Sequence, residues 1–323
     1  MAILEKIKYL ETYGDNKTRG RKSLLNVLMV FRPWSFIMTI VSVTVGSLLG
    51  LVLQGRFAPF LALLVLAGMI AIHAATNIIN DLFDTAYGVD KPGAPTTLYR
   101  LHPLMDKILS PREIIYISLI LYTFASLIGV YFFMLRGWPV AVFAIIGIIA
   151  SIEYTIEPLK YKYRGLGEII VFLMWGPLMT LGSYYVQTGT WEGYGTVLLI
   201  SVPLGIWVAL VLLANNLKDI SYDYEMNIMT VPIWLGKEKA LKLFTGMTYS
   251  VYILSGLGFL LGLVSGWAFL VYLSFPLALR LVYSFNALPH FPHNAEPKTA
   301  GIFAVYGGLL IISLIATYVF SIT

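Results

Sequence analysis

The chain has 323 residues, 58% of them hydrophobic and only 12% charged, with a formal net charge of +5. Soluble domains carry roughly 25% charged residues, so this composition excludes an ordinary soluble protein and indicates a membrane chain. It has no cysteine, which removes disulfides, thiolate metal sites and cysteine nucleophiles together.

Residues 1–31 read as a cytosolic N-terminal arm. The first 22 carry the basic run Lys17 to Lys22 and lack the apolar core of a signal peptide, and Ile3–Leu10 would suit an interfacial helix. Residues 32–323 are expected to form one transmembrane domain. Stretches long enough to span recur at Pro33–Gln54, Phe57–Asn80, Arg112–Leu135, Trp138–Tyr154, Gly165–Gln187, Tyr194–Asn215, Ala240–Leu263, Gly266–Phe285 and Ala300–Ser321. The expected fold is therefore an all-α, multi-pass membrane protein of nine helices, the fourth being the shortest.

Basic residues test this count. With a cytoplasmic N-terminus, all but two of the 22 lysines and arginines fall on one side, and Arg56 and Arg136 alone fall on the other. That split follows the positive-inside rule and places the chain in a cytoplasmic membrane. The net charge then belongs to the cytoplasmic face and gives no reason to expect nucleic acid as a partner.

Two acidic segments stand at matching places. Asn80-Asp81-Leu82-Phe83-Asp84, followed by Gly88 and Asp90, closes the second apolar stretch. Asn215-Asn216-Leu217-Lys218-Asp219, followed by Asp223, closes the sixth. Four intervening helices give both segments the same orientation, so the repeat is parallel: four helices, four more, and a ninth. Secondary transporters commonly show inverted repeats with midplane sites, a pattern this chain lacks.

His73, Asn77, Asn80, Asp81 and Asp84 recur at steps of three and four, which puts them on one helix face. Asn215, Asp219 and Asp223 repeat the device. Carboxylates are costly at a membrane boundary, and two facing rows of hard oxygen ligands suit Mg²⁺ with positions left for substrate oxygens. Cations collect on the same side: Lys160 and Arg164 in the run Tyr154-Thr155-Ile156-Glu157-Pro158-Leu159-Lys160-Tyr161-Lys162-Tyr163-Arg164, together with Arg32, Arg100 and Lys218. Acidic rows beside lysine and arginine fit a Mg²⁺–diphosphate better than a bare cation, because the metal bridges carboxylate and phosphate. Tyr154 is the candidate aromatic face for a cationic transition state. His73 and Asn77, deeper on the stripe, are candidates for orienting an acceptor.

These residues resemble the UbiA superfamily of intramembrane prenyltransferases, whose first motif has the form NDxxDxxxD and whose second centres on DxxxD. The spacing from Asn80 to Asp90 is most similar to the branch that prenylates 1,4-dihydroxy-2-naphthoate for menaquinone. Three other stretches share that likeness: Asn215 to Asp219, Arg164-Gly165-Leu166-Gly167-Glu168, and Gly182-Ser183-Tyr184-Tyr185-Val186-Gln187-Thr188-Gly189. One departure stands out. Where that branch has Gly-Lys and then threonine, this chain reads Asn227-Ile228-Met229-Thr230, without the lysine.

The resemblance implies nine helices around a central cavity and Mg²⁺, two ions, binding an isoprenyl diphosphate at the cytoplasmic end. It implies metal and diphosphate ligation by Asn80, Asp84, Asp219 and Asp223, with Asp81, Asp90 and Asn215 assisting and Tyr154, Lys160, Arg164 and Arg100 nearby. Electrophilic transfer of the isoprenyl group to an aromatic acceptor follows, with Asp84, Asp219 and Tyr154 as the catalytic set. The alternatives are another acceptor of the same superfamily (an archaeal geranylgeranylglyceryl phosphate, 4-hydroxybenzoate or haem) and, from another class, a cation-coupled transporter.

Overall fold

The computed structural model describes residues 23–263, 265–287 and 291–322. The expected interfacial helix at Ile3–Leu10 lies outside them. Nine apolar helices occur among the described residues: α1 (Pro33–Gln54), α2 (Pro59–Ala86), α3 (Pro111–Arg136), α4 (Trp138–Glu153), α5 (Gly167–Thr188), α6 (Tyr194–Lys218), α7 (Lys237–Leu260), α8 (Gly266–Ala287) and α9 (Ala295–Ile322). Eight are long and apolar enough to cross a membrane. The exception is α4, whose 16 residues fall short of the roughly 20 that a span requires. The chain is an all-α, multi-pass integral membrane protein, and no strand occurs among its described residues.

Local chemistry sets the helix ends. Arg32 takes a left-handed φ of 59°, and Pro33 then opens the turn leading into α1. Ser110 and Glu113 form a reciprocal capping box at the start of α3. Helix α5 carries Pro177 inside a π-helical turn, Met174–Leu178, which swings Trp175 toward α2. At the crossing of α5 and α6 the backbones nearly touch: a Cβ on Gly176 would lie 2.8 Å from the Cα of Gly205.

The largest core joins α1, α6, α7, α8 and α9 around Trp207, Phe244, Phe303 and Tyr306. A smaller one, with Val43, Leu61, Phe132, Val140 and Tyr185, ties α1 to α5 at the end remote from the acidic segments. The two basic residues at that remote end have a structural task. Arg56 donates to the carbonyl of Thr188 (2.5 Å), and Arg136 donates to those of Val186 (2.7 Å) and Gln187 (3.2 Å). Both guanidiniums thus satisfy the unpaired carbonyls at the C-terminus of α5.

The largest difference from expectation concerns α2. It runs on to Ala86, so Asp81 and Asp84 lie inside its last turns and not in the loop after it. Carboxylates oppose the dipole at a helix C-terminus, and here cations brought in from elsewhere in the chain offset them.

Candidate active site

The two acidic segments end α2 and α6 at the same end of the bundle, and two ties draw them together. Tyr222, in the short helix Ile220–Glu225, donates its hydroxyl to the carbonyl of Val89. Met229 N–H donates to the carbonyl of Tyr163 (3.3 Å). Asp84, fully buried, accepts from Asn80 Nδ2 (3.0 Å), Lys162 Nζ and the Tyr163 hydroxyl. Asn80 Oδ1 in turn accepts from Thr155 (2.9 Å) and Lys162 (3.4 Å).

Asp219 and Asp223 are each 9% exposed. Lys218 Nζ lies 3.3 Å from Asp219 Oδ2 and 4.0 Å from the centroid of the Tyr99 ring. Burial, outweighing Lys218, raises the pKa of Asp219. Burial first, and then the charge of Asp219, pushes Asp223 up to about 7. Burial works against the Lys162 ammonium as well, but Asp84 and then Asp90 outweigh it and hold its pKa above the ordinary lysine value. The result is three buried carboxylates, Asp84, Asp219 and Asp223, with Lys162 and Lys218 against them; of these, Lys162 also lines a cavity of about 300 Å³. Arg32, Asn80, Lys162, Asn215, Asn216 and Glu296 line its polar end, with Tyr154, Asn77 and His73 below them and an apolar arm beyond.

Other expected site residues lie elsewhere. Asp81 has both oxygens on guanidiniums: Arg100 makes a two-pronged pair (2.7 and 3.0 Å), and Arg32 adds a third contact. Asp90 accepts from Thr96 and from His102 Nε2 (3.1 Å). His102 Nδ1 receives the N–H groups of Leu104 and Met105, both at 3.2 Å, which fixes the proton on Nε2. Asp81, Asp90 and His102 therefore offer donor atoms within 4.8 Å of one another, yet each is already engaged. Their contacts fold the segment after α2 over the cavity mouth, and Arg100 is a partner of Asp81. Lys160 pairs with Glu157 (2.6 Å) and lies over the Tyr87 ring (3.8 Å), while Arg164 donates to the carbonyl of Pro158 (2.8 Å). Lys162, between them in sequence, is the one that reaches Asp84.

Along the stripe, Trp175 Nε1 donates to Thr39 Oγ1 (3.1 Å), and Thr39 is 2.9 Å from His73 Nδ1. His73 Nε2 is 3.2 Å from Ser35 Oγ, which donates to the carbonyl of Arg32 (2.8 Å). With Trp175 donating at one end, the hydroxyl of Thr39 donates to Nδ1 and the ring carries its proton on Nε2. Asn77 Nδ2 reaches the carbonyl of Phe31 (2.9 Å) and Ser35 Oγ (3.3 Å). Both residues line the cavity and also anchor the turn into α1.

A family model described as the UbiA prenyltransferase family matches residues 39–305. The chain belongs to that family. It is a prenyltransferase. It is 27% identical over 237 residues to UbiA prenyltransferase domain-containing protein 1 of Rattus norvegicus, covering 72% of this chain and 68% of that one. The protein of the same name in Dictyostelium discoideum is 26% identical over 261 residues, covering 78% and 77%. Among solved structures, a UbiA homolog from Archaeoglobus fulgidus bound to GPP and Mg²⁺ superposes with a TM-score of 0.66 at 18% identity, over 91% of this chain and 99% of that one. A UbiA homolog from Aeropyrum pernix K1 gives a TM-score of 0.67 at 13% identity, over 90% and 98%. At such identities the likeness is one of fold.

The prenyltransferase's donor set fits a hard divalent cation. Asn215 Oδ1 is buried without a hydrogen-bond partner, and Asp219 and Asp223 repel each other. A cation would relieve both deficits. One consequence concerns pH. As pH falls through about 7, Asp223 takes up a proton, which a metal held by that carboxylate would have to displace. Mg²⁺ affinity is expected to drop toward tenfold per pH unit below that point and to level off above it. Calorimetric titration between pH 6 and 8 checks this, with Asp223→Asn flattening the profile. A wild-type affinity constant across that range would remove Asp223 from the metal set.

Proposed function

We propose that this prenyltransferase uses Mg²⁺ to transfer the isoprenyl group of a polyprenyl diphosphate to an aromatic acceptor, 1,4-dihydroxy-2-naphthoate, in menaquinone biosynthesis. In this reading the N-terminus and the cavity mouth face the cytoplasm. The observation carrying it is the clustering of Asp84, Asp219 and Asp223 around Lys162, which itself lines an apolar cavity together with Asn80 and Asn215. The acceptor rests on the motif spacing from Asn80 to Asp90.

Asn80, Asp84, Asn215, Asp219 and Asp223 would hold the metal, two ions in all, and Asp81 and Asp90 would brace the segment that covers it. When bound, Mg²⁺ supplies Lewis-acid stabilisation of the charge that builds on the diphosphate. Lys162 offers N–H groups to the departing oxygens as the allylic C–O bond breaks and its electron pair leaves with the diphosphate. Tyr154, at the junction of mouth and arm, presents its ring to the allylic cation. The apolar arm excludes water, so that an acceptor carbon and not a water oxygen completes the new bond. Asn77 Oδ1 is placed to accept from an acceptor hydroxyl, with His73 fixed beside it. The ring carbon then loses its proton and aromaticity returns. A transporter reading finds little support in the cavity, because the Lys, Arg, Asp and Glu side chains that line it, Arg32, Lys162 and Glu296, belong to its polar end and its arm carries none.

The test is transfer by purified protein in detergent, with radiolabelled geranylgeranyl diphosphate and dihydroxynaphthoate, 4-hydroxybenzoate or geranylgeranylglyceryl phosphate offered separately. Label moving onto dihydroxynaphthoate, and stopping with EDTA, is the expected result. Label on another acceptor would reassign the substrate. Absence of transfer to all three would overturn the reading.

A further inference from the structure

The arm of the cavity has a measurable length. Along α2 its lining runs from Asn80 at the mouth to Val65 at the remote end. At about 1.5 Å rise per residue that is about 22 Å of helix axis. An extended isoprenyl unit adds four carbon–carbon bonds, about 5 Å in zigzag at about 1.5 Å per bond. The arm therefore matches about four units.

Its remote end is lined by side chains from separate helices: Phe132 of α3, Val140 and Phe143 of α4, and Val186 of α5. Phe143 is the bulkiest group on α4 facing this end. Its ring is held from behind: a Cβ on Gly182 would lie 3.7 Å from it, and the centroid of Trp191 is 6.0 Å away. One helical turn nearer the mouth the same face of α4 carries Gly147, which lines the arm and beside which a Cβ would meet nothing within 4 Å. A large side chain at the end and an absent one midway make these two positions the ones on α4 that bear on the depth of the channel.

We infer that this arm selects a donor of four isoprenyl units, with Phe143 as the stop that sets its length. The inference rests on the isoprenyl-transfer reading but makes a separate claim, since the metal end of the site is indifferent to chain length. Phe143→Ala lengthens the arm. Gly147→Leu blocks it midway without harming the fold, because its Cβ enters open space and leucine favours a helix more than glycine does.

The experiment measures binding of C10, C15, C20 and C30 isoprenyl diphosphates to the detergent-purified protein with Mg²⁺, and kcat/KM for transfer of each. Wild-type protein is expected to favour C20 over both C10 and C30. Phe143→Ala should raise the C30-to-C20 ratio about tenfold or more, and Gly147→Leu should lower the C20-to-C10 ratio by a similar factor, at an unchanged or higher melting temperature. Equal use of C20 and C30 by the wild type, as when a long tail leaves sideways into lipid, would overturn the inference. So would variants that change all lengths alike. In either case, binding that EDTA abolishes would leave the transfer reading standing. No Mg²⁺-dependent binding at any length would remove both.

Discussion

Asp219→Asn is expected to lower isoprenyl transfer by about 10²–10³-fold or more while raising the melting temperature of the metal-free protein. The two effects have one cause. Asp219 is buried beside Asp223, and burial outweighs Lys218 in raising its pKa. A group whose pKa is raised by folding is held least favourably when ionised, so above its unfolded pKa the charge costs stability that a neutral amide does not. The same charge is what a divalent cation requires. Asp84→Asn should also lose transfer, but with the opposite effect on stability, because it removes the counter-charge of Lys162. Melting curves in EDTA and transfer rates with Mg²⁺ read both variants. Transfer within tenfold of wild type in Asp219→Asn would remove the second acidic segment from the site.

The helices were legible in the sequence because lipid imposes long apolar runs. The paired acidic segments were legible for a similar reason: carboxylates at helix ends in an apolar chain stand out. What local reading missed depended on distant partners. The hydropathy falls at Asp81, so α2 was expected to stop at Asn80. It continues because Arg32, Arg100 and Lys162 arrive from three other segments to neutralise its last turns. His102 gave no signal, since its role depends on Asp90 and on two backbone N–H groups. Arg32 read as one of the cations beside the acidic rows, and its partner proves to be Asp81. In the run Lys160 to Arg164 the sequence favours Lys160 and Arg164, whereas the structure brings Lys162 to Asp84. A positive φ of 45° at Lys160 and the 3₁₀ turn at Tyr161–Tyr163 decide it, turning Lys162 toward Asp84 and leaving Lys160 on Glu157. The arm escaped notice because Gly68, Gly129 and Gly147 lie on three helices and become one wall only in the packed bundle.

Lys162→Ala separates the roles of that cation. Without metal, the change strands the Asp84 carboxylate in a buried site, and a loss of about 3–5 kcal/mol in stability is expected. With metal the sign reverses. Lys162 and a divalent cation compete for Asp84, so removing the ammonium should tighten Mg²⁺ binding and restore much of the lost stability on titration. Turnover should nonetheless fall by about 10²–10³-fold, because the group that meets the departing diphosphate oxygens is gone. Lys160→Ala provides the contrast. Its partner Glu157 is 59% exposed, and such surface pairs contribute about 0–1 kcal/mol, so stability, Mg²⁺ affinity and turnover should all remain near wild type. Thermal melts across a Mg²⁺ series, combined with single-turnover rates, distinguish the outcomes. Tighter metal binding with slower transfer in Lys162→Ala assigns that residue to the leaving group. Weaker metal binding would mean instead that Lys162 shapes the carboxylates for the cation, and the step of diphosphate release would need another donor from the mouth of the cavity.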